Sequence, residues 1–164
     1  MINLKPFEIE DWKYLSKWIK TEEELVQFAG PIFNFPINKV QVQNYLSAEQ
    51  RIVFKIIHEQ YSPIGIAEIY VENERLAKLA RILIGDNSMR GKGIGTKLIQ
   101  QLVTYVFEKL NKQRIILNVF SWNNSAIRCY EKVGFIKTNK APTKITVGEK
   151  RWEVSRWKGL NNST

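Results

Sequence analysis

RGKGIGTKLIQQLVTYVFEKL, residues 90–110, places three glycines in six positions directly before a long apolar-striped segment. Ile94, Leu98, Ile99, Leu102, Val103, Val106, Phe107 and Leu110 recur at helical spacing and predict an amphipathic helix. Glycine inside a helix costs roughly 0.5–1 kcal/mol relative to alanine, so Gly91, Gly93 and Gly95 at its entrance need a reason. Two are available. They make a tight turn, or they leave backbone amides unobstructed so that these converge on an anion at the positive end of the helix. A nucleotide P-loop is excluded, because GxxxxGK[ST] does not occur. A dinucleotide fingerprint fails too: the spacing is GxGxG, and the acidic residue near the required offset, Glu108, falls inside the helix.

Working outward, RIVFKIIH, IGIAEIYV and AKLARILI upstream read as three strands, rich in β-branched residues. The turns between them, EQYSP and ENERL, are too short for parallel crossovers, so an antiparallel meander is expected. Met1–Pro6 reads as a strand, and Trp12, Leu15, Trp18 and Ile19 follow helical spacing behind the acids Glu8, Glu10 and Asp11. QFAGPIFNFPI reads as a long apolar loop, and Asn38 as the cap of a short helix through Ala48. Downstream, RIILNV is a buried-looking strand. Asn123 or Asn124 caps a helix that ends near Gly134, and FIKTNK and KRWEVSRWK close the chain as strands. In the last strand Trp152 and Val154 alternate with Glu153 and Ser155, the aromatics expected inward. The fold class is α/β: a mixed, mostly antiparallel central sheet with helices on both faces.

At 164 residues the chain has room for one domain, residues 1–164, and no internal repeat or linker divides it. No apolar run reaches the length of a membrane span, and the N-terminus lacks a signal-peptide plan. A lone Cys129 and a lone His58 support neither a disulfide framework nor a structural metal site. A cytoplasmic protein without metal is the expectation. The net charge of +9 is uneven: residues 81–164 hold sixteen Lys/Arg against five Asp/Glu, whereas residues 1–80 hold nine against eleven. A basic half calls for an anionic partner or is simply a solvated surface.

Arg90, Gly93 and Gly95 form Arg-x-x-Gly-x-Gly at a helix start, and NNSAIRCYEKVGF follows at 123–135 with a strand between. This pair resembles the GNAT superfamily of acyl-CoA N-acyltransferases, and the segment order is most similar to its ribosomal-protein N-terminal acetyltransferase branch. The resemblance covers most of residues 50–140. It implies a sheet splayed at the cofactor site and acetyl-CoA as cosubstrate. The backbone amides of Gly91, Lys92, Gly93, Ile94, Gly95 and Thr96 would cradle the pyrophosphate, with Arg90 as the first cofactor-binding residue of the motif. Leu83, Ile84 and Gly85 would pair with the pantetheine arm, and an amide of Leu83 or Ile84 would polarise the thioester. Lys92, Lys97, Arg128 and Lys132 are candidates for the ribose phosphate.

The same resemblance implies that Tyr130 is the general acid that protonates the departing thiolate, and that Asn123 touches the cofactor or an ordered water. Packing beside Ile127 and helix capping are the plain alternatives for these two. Acetyl transfer also needs a neutral amine, and an alkylamine of pKa about 10.4 is almost wholly charged at neutral pH. Glu68, in the second meander strand, is the candidate base, with Glu72, Asp86, His58 or water as alternatives. Cys129, with no His or Asp near it in sequence, reads as a packed helix residue.

The expected reaction is direct attack of a primary amine on acetyl-CoA in a ternary complex. Acceptors in reach are a protein or peptide N-terminus, a lysine, a polyamine, an aminoglycoside or another small amine. Glu22, Glu23 and Glu24 either attract a cationic amine or suit a helix dipole. A homodimer is compatible with this reading, and a membrane partner is not expected. The rival classes are a non-catalytic CoA-binding module and a basic nucleic-acid-binding domain built on KRWEVSRWK. The inward alternation of its tryptophans disfavours the latter.

Overall fold

The computed structural model describes residues 1–59 and 62–160; Gln60 and Tyr61 of the expected EQYSP turn lie outside the described residues. Eight strands join in one sheet: β1 (Ile2–Pro6), β2 (Arg51–His58), β3 (Pro63–Val71), β4 (Leu76–Ile84), β5 (Arg114–Phe120), β6 (Ile136–Lys137), β7 (Thr143–Val147) and β8 (Lys150–Leu160). Their order is β1-β2-β3-β4-β5-β8-β6, with β7 on β8. β1 with β2, and β8 with each of β5, β6 and β7, pair antiparallel, whereas β4 and β5 pair parallel from Leu76↔Arg114 to Leu79↔Leu117. The helices are α1 (Trp12–Trp18), α2 (Glu22–Ala29), α3 (Lys39–Leu46), α4 (Ile94–Thr104) and α5 (Asn124–Val133). The mixed, mostly antiparallel α/β sheet expected from the sequence is the one observed.

The chain divides into two compact units, and β3 and β4 each contribute to both. The first comprises Met1–Glu68 and Ala80–Gly91. Its core gathers Phe7, Leu15, Leu25, Phe28, Phe33, Val42, Tyr45 and Ile66. α2 starts at Thr21, whose hydroxyl accepts the Glu24 amide at 3.1 Å, and α3 at Asn38, whose side chain accepts the Gln41 amide at 2.9 Å. The expected loop QFAGPIFNFPI is therefore corrected: Gln27–Ala29 finish α2, Gly30–Ile32 form a 3-10 turn, and the irregular segment begins at Phe33. Phe28, Phe33 and Ile37 are buried, so most of its apolar content fills the core; Ile32 and Phe35 stay exposed.

The second unit comprises Ile69–Leu79 and the chain from Lys92 onward. α4 buries Ile94, Leu98, Ile99 and Leu102, as its stripe predicts, and runs into a π-helical turn, Tyr105–Lys109, that buries Val106. Val103, Phe107 and Leu110 are half-buried. The closing strands differ from expectation. β6 is only two residues, and β7, absent from the sequence reading, forms a hairpin with β8 across Gly148 at φ +61. In β8 the buried positions are Ser155 and Trp157, not Trp152 and Val154. The inward face is thus offset by one residue from the expected Trp152 and Val154, while Trp157 of the same segment is buried as expected of its aromatics. Ser155 is accepted there because its hydroxyl lies 3.2 Å from that of Ser121. Trp152 instead packs edge-on to Phe120 and Trp122, with centroids at 4.9 and 5.2 Å.

Candidate active site

The glycines at 91–95 divide by what each backbone position demands. Gly91 and Gly93 have φ of +76 and +77, the left-handed region where a Cβ is disfavoured, and nothing lies within 4 Å of where either Cβ would stand. Gly93 is the N-cap of α4 and has no side chain to offer the first-turn amides. The first-turn amides of a helix have no partner within the helix, and such donors are the kind that a phosphate oxygen can meet. Gly95 differs: it lies within α4, and an added methyl would meet the Cys129 sulfur of α5 at an ordinary 3.4 Å. Lys92, Lys97, Arg128 and Lys132 are all exposed in the same unit.

α5 explains the second motif locally. The Asn123 side chain accepts the Ala126 amide at 3.3 Å and opens the helix. Gly134, at φ +109, closes it, and its amide and that of Phe135 both donate to the Tyr130 carbonyl at 3.2 and 3.0 Å. Phe135 then meets the Tyr130 ring edge-on, centroids 5.9 Å apart. The Tyr-x-Lys-x-Gly-Phe spacing thus fixes the tyrosine by its backbone and its ring. Tyr130 is buried, and burial first, with the neighbouring Cys129 thiol second, pushes its pKa well above the ordinary phenol value. It holds its proton throughout the neutral range.

In the first unit, β4 ends in Leu83 and Ile84, and Gly85 follows it. The amides of Gly85 and Asp86 both donate to the Ile64 carbonyl at 2.8 and 3.2 Å, and the Ile84 carbonyl accepts Arg90 Nε at 2.8 Å. Arg90 therefore folds back to hold the end of β4. A methyl on Gly85 would overlap the Trp18 ring, and one on Gly65 would overlap the Leu83 carbonyl oxygen. Packing alone accounts for both glycines. Asp86 closes the turn that follows by accepting the Ser88 amide and hydroxyl at 3.0 and 2.6 Å.

Glu68 is 0% exposed. It is neither a surface acid nor a carboxylate facing open solvent. Its oxygens accept Arg81 Nη1 at 3.1 and 3.0 Å and the Tyr45 hydroxyl, and Arg51 Nε stands 3.7 Å away. Burial, then the Glu68 charge, pushes the Tyr45 phenol well above its usual range. The lone pairs of Glu68 are thus engaged by cationic and phenolic donors. Tyr45, Arg51 and Arg81 were not singled out in the sequence, although one signal was present. Arg81 shares strand parity with the buried Ala77 and Leu79, and a charged residue at an inward position needs an opposite charge on a neighbouring strand.

An open mixed sheet, a left-handed glycine entry to α4 and a tyrosine fixed near the end of α5 are the features that the resemblance to acyl-CoA N-acyltransferases implies. The model of the acetyltransferase (GNAT) family matches residues 12–135, and the chain belongs to that family. Its cosubstrate is acetyl-CoA. The aminoglycoside N(6')-acetyltransferase type 1 of Klebsiella pneumoniae is 28% identical over 155 residues, 87% of this chain and 77% of that protein. A kanamycin resistance protein of Rhizobium radiobacter is 38% identical over 60 residues, 37% of this chain and 56% of that one. In fold, the chain is similar to spermidine N-acetyltransferase from Vibrio cholerae, solved with CoA and spermine. There the TM-score is 0.82 at 21% identity, over 97% of this chain and 95% of that one. These relatives give the ribosomal-protein branch no support. Among the described residues no His/Cys/Asp/Glu group could hold a metal, and no helix is long and apolar enough to cross a membrane.

Proposed function

We propose that the protein transfers the acetyl group of acetyl-CoA to a primary amine of a small molecule, by direct attack in a ternary complex. Membership of the acetyltransferase (GNAT) family over residues 12–135 is the observation that carries this reading. That stretch draws on both compact units, which supports treating residues 1–164 as one acetyltransferase domain. The small-molecule acceptor is preferred over a protein N-terminus because the relatives named above are aminoglycoside and spermidine enzymes. A cytoplasmic location is kept as part of the proposal.

The roles follow from the chain's own residues. The amides that open α4, with Gly91 and Gly93 leaving them bare, take the pyrophosphate, and the exposed lysines and arginine nearby take the ribose phosphate. The end of β4 and the glycine after it, Leu83, Ile84 and Gly85, offer backbone to the pantetheine arm through groups other than the Gly85 amide and the Ile84 carbonyl, which are engaged. Tyr130 enters the reaction protonated. It gives a hydrogen bond, and then the proton, to the thiolate as the C–S bond breaks. Asn123 serves α5 with its carbonyl oxygen and keeps its amide group for a water or the cofactor. The acceptor amine loses its proton to water rather than to Glu68, whose oxygens already accept donors.

The test is release of CoA thiol from acetyl-CoA against amino acids, polyamines, aminoglycosides, simple arylalkylamines and N-terminal peptides, with Tyr130→Phe alongside. Turnover of one small-amine class, reduced about 100-fold in the variant, is expected of a lost general acid. Turnover of N-terminal peptides alone would reverse the acceptor assignment. No turnover of any amine would leave the catalytic reading without support.

A further inference from the structure

The cluster around Glu68 is unbalanced. Two guanidinium groups face one carboxylate: Arg81 Nη1 bonds both of its oxygens, and Arg51 Nε stands 3.7 Å from Oε2. Both guanidinium carbons also lie over the Tyr45 ring, at 4.7 and 5.9 Å from its centroid, and Arg51 Nη1 donates to the Tyr45 carbonyl at 3.0 Å. The ring offsets part of the surplus charge, but it is neutral. Among the described residues, Arg51 Nε and Arg81 Nε are buried without a hydrogen-bond partner. A surplus cation held partly out of water is costly, so one more anion, meeting the exposed part of the two side chains rather than the enclosed Nε atoms, would balance the group. It has an accessible edge, because the Arg51 and Arg81 side chains keep 20% and 15% exposure.

Arg81 also sits at φ +46 in mid-strand, a conformation that a non-glycine residue keeps only when its surroundings hold it there. Glu68 supplies that hold through both oxygens. The side chain is thereby fixed two residues before Leu83, on the strand whose end is proposed to receive the acyl donor. We infer that Arg51 and Arg81 form a receptor for a carboxylate carried by the amine acceptor, so that the acceptor is of the amino-acid class. A planar carboxylate matches the guanidinium fork, whereas a polyamine or aminoglycoside would add positive charge beside a surplus cation. This rests on the acetyl-transfer reading and narrows its acceptor.

The experiment uses matched pairs that differ only in the carboxylate: lysine against cadaverine, and phenylalanine against phenethylamine. Ethanolamine phosphate is a tetrahedral third arm. For the full chain, kcat/KM is expected to favour the carboxylate member at least about tenfold, and Arg81→Lys, which keeps the charge but loses the fork, is expected to erase most of that preference. Arg51→Lys is the second variant should Arg81→Lys fail to fold. Calorimetric binding of the N-acetylated products, N-acetylphenylalanine against N-acetylphenethylamine, gives a readout free of turnover. The same tenfold preference is expected there. Equal binding, a preference untouched by both variants, or preference for the phosphate would overturn the proposal even if acetyl transfer occurs. Carboxylate-dependent binding without transfer to any amine would uphold the receptor and overturn the acetyl-transfer reading instead.

Discussion

Glu68 shows how far one residue's neighbours decide its role. A carboxylate in a strand is a fair base by composition, but here Arg81, Arg51 and the Tyr45 hydroxyl surround it at zero exposure. Removing one partner of a buried pair costs about 3–5 kcal/mol, because the remaining charges stay buried and uncompensated. Glu68→Gln is therefore expected to lower unfolding free energy by about that amount, read by urea denaturation. A loss under about 0.5 kcal/mol would mean that the cluster is not the anchor described. Sequence alone showed the acid and its strand. It did not show which inward positions face each other across strands, because the pairing register is a property of the assembled sheet.

At the scale of elements, α5 was the most legible part of the chain. Its cap, its glycine stop and the Tyr130 spacing are local signals, and each occurs where the sequence placed it. Asn123→Ala is expected to cost about 1 kcal/mol, the ordinary worth of an N-cap, measured by thermal or chemical unfolding. An unchanged stability would show that Asn123 is not needed as the cap. The end of the chain was less legible. Thr143–Val147 is mostly exposed, and its strand character comes from pairing with β8, from Thr143↔Val154 to Val147↔Lys150. The inward face of β8 was misread because Ser155 is buried through a partner in another segment, Ser121, which no periodicity reveals. Only the last turn of α2, Gln27–Ala29, lies under the apolar reading of residues 27–37, since burial of Phe28 and Phe33 serves the core in either conformation.

For the whole molecule, two buried phenols give stability a defined alkaline limit. Burial raises both Tyr45 and Tyr130 above the unfolded value of about 10. A raised folded pKa means that the native state keeps protons the unfolded chain gives up. The stabilisation is thus complete below about pH 10 and declines as pH rises from there toward the folded values. The melting temperature is expected to be level between about pH 7 and 9 and to fall beyond about pH 10, less steeply in Tyr130→Phe than in the parent. Identical slopes would contradict the assigned burial. The family was readable at this scale because two motifs in fixed order are local features joined by one strand. The acceptor was not, because the residues that would meet it come from α3, β2, β3 and β4 and converge only in the folded unit.

The central claim is that the amides bared by Gly91 and Gly93 hold acetyl-CoA. Calorimetric titration of CoA into the parent and into Gly91→Ala/Gly93→Ala tests it without needing the acceptor. Each alanine must adopt a left-handed φ or rebuild the turn, at roughly 1–2 kcal/mol per residue, so the cradle geometry is lost while α4 and its buried stripe remain. Saturable binding to the parent is expected, with affinity at least about tenfold weaker in the variant and the helical circular dichroism retained. Equal affinity in the two proteins, or no binding to the parent, would contradict it.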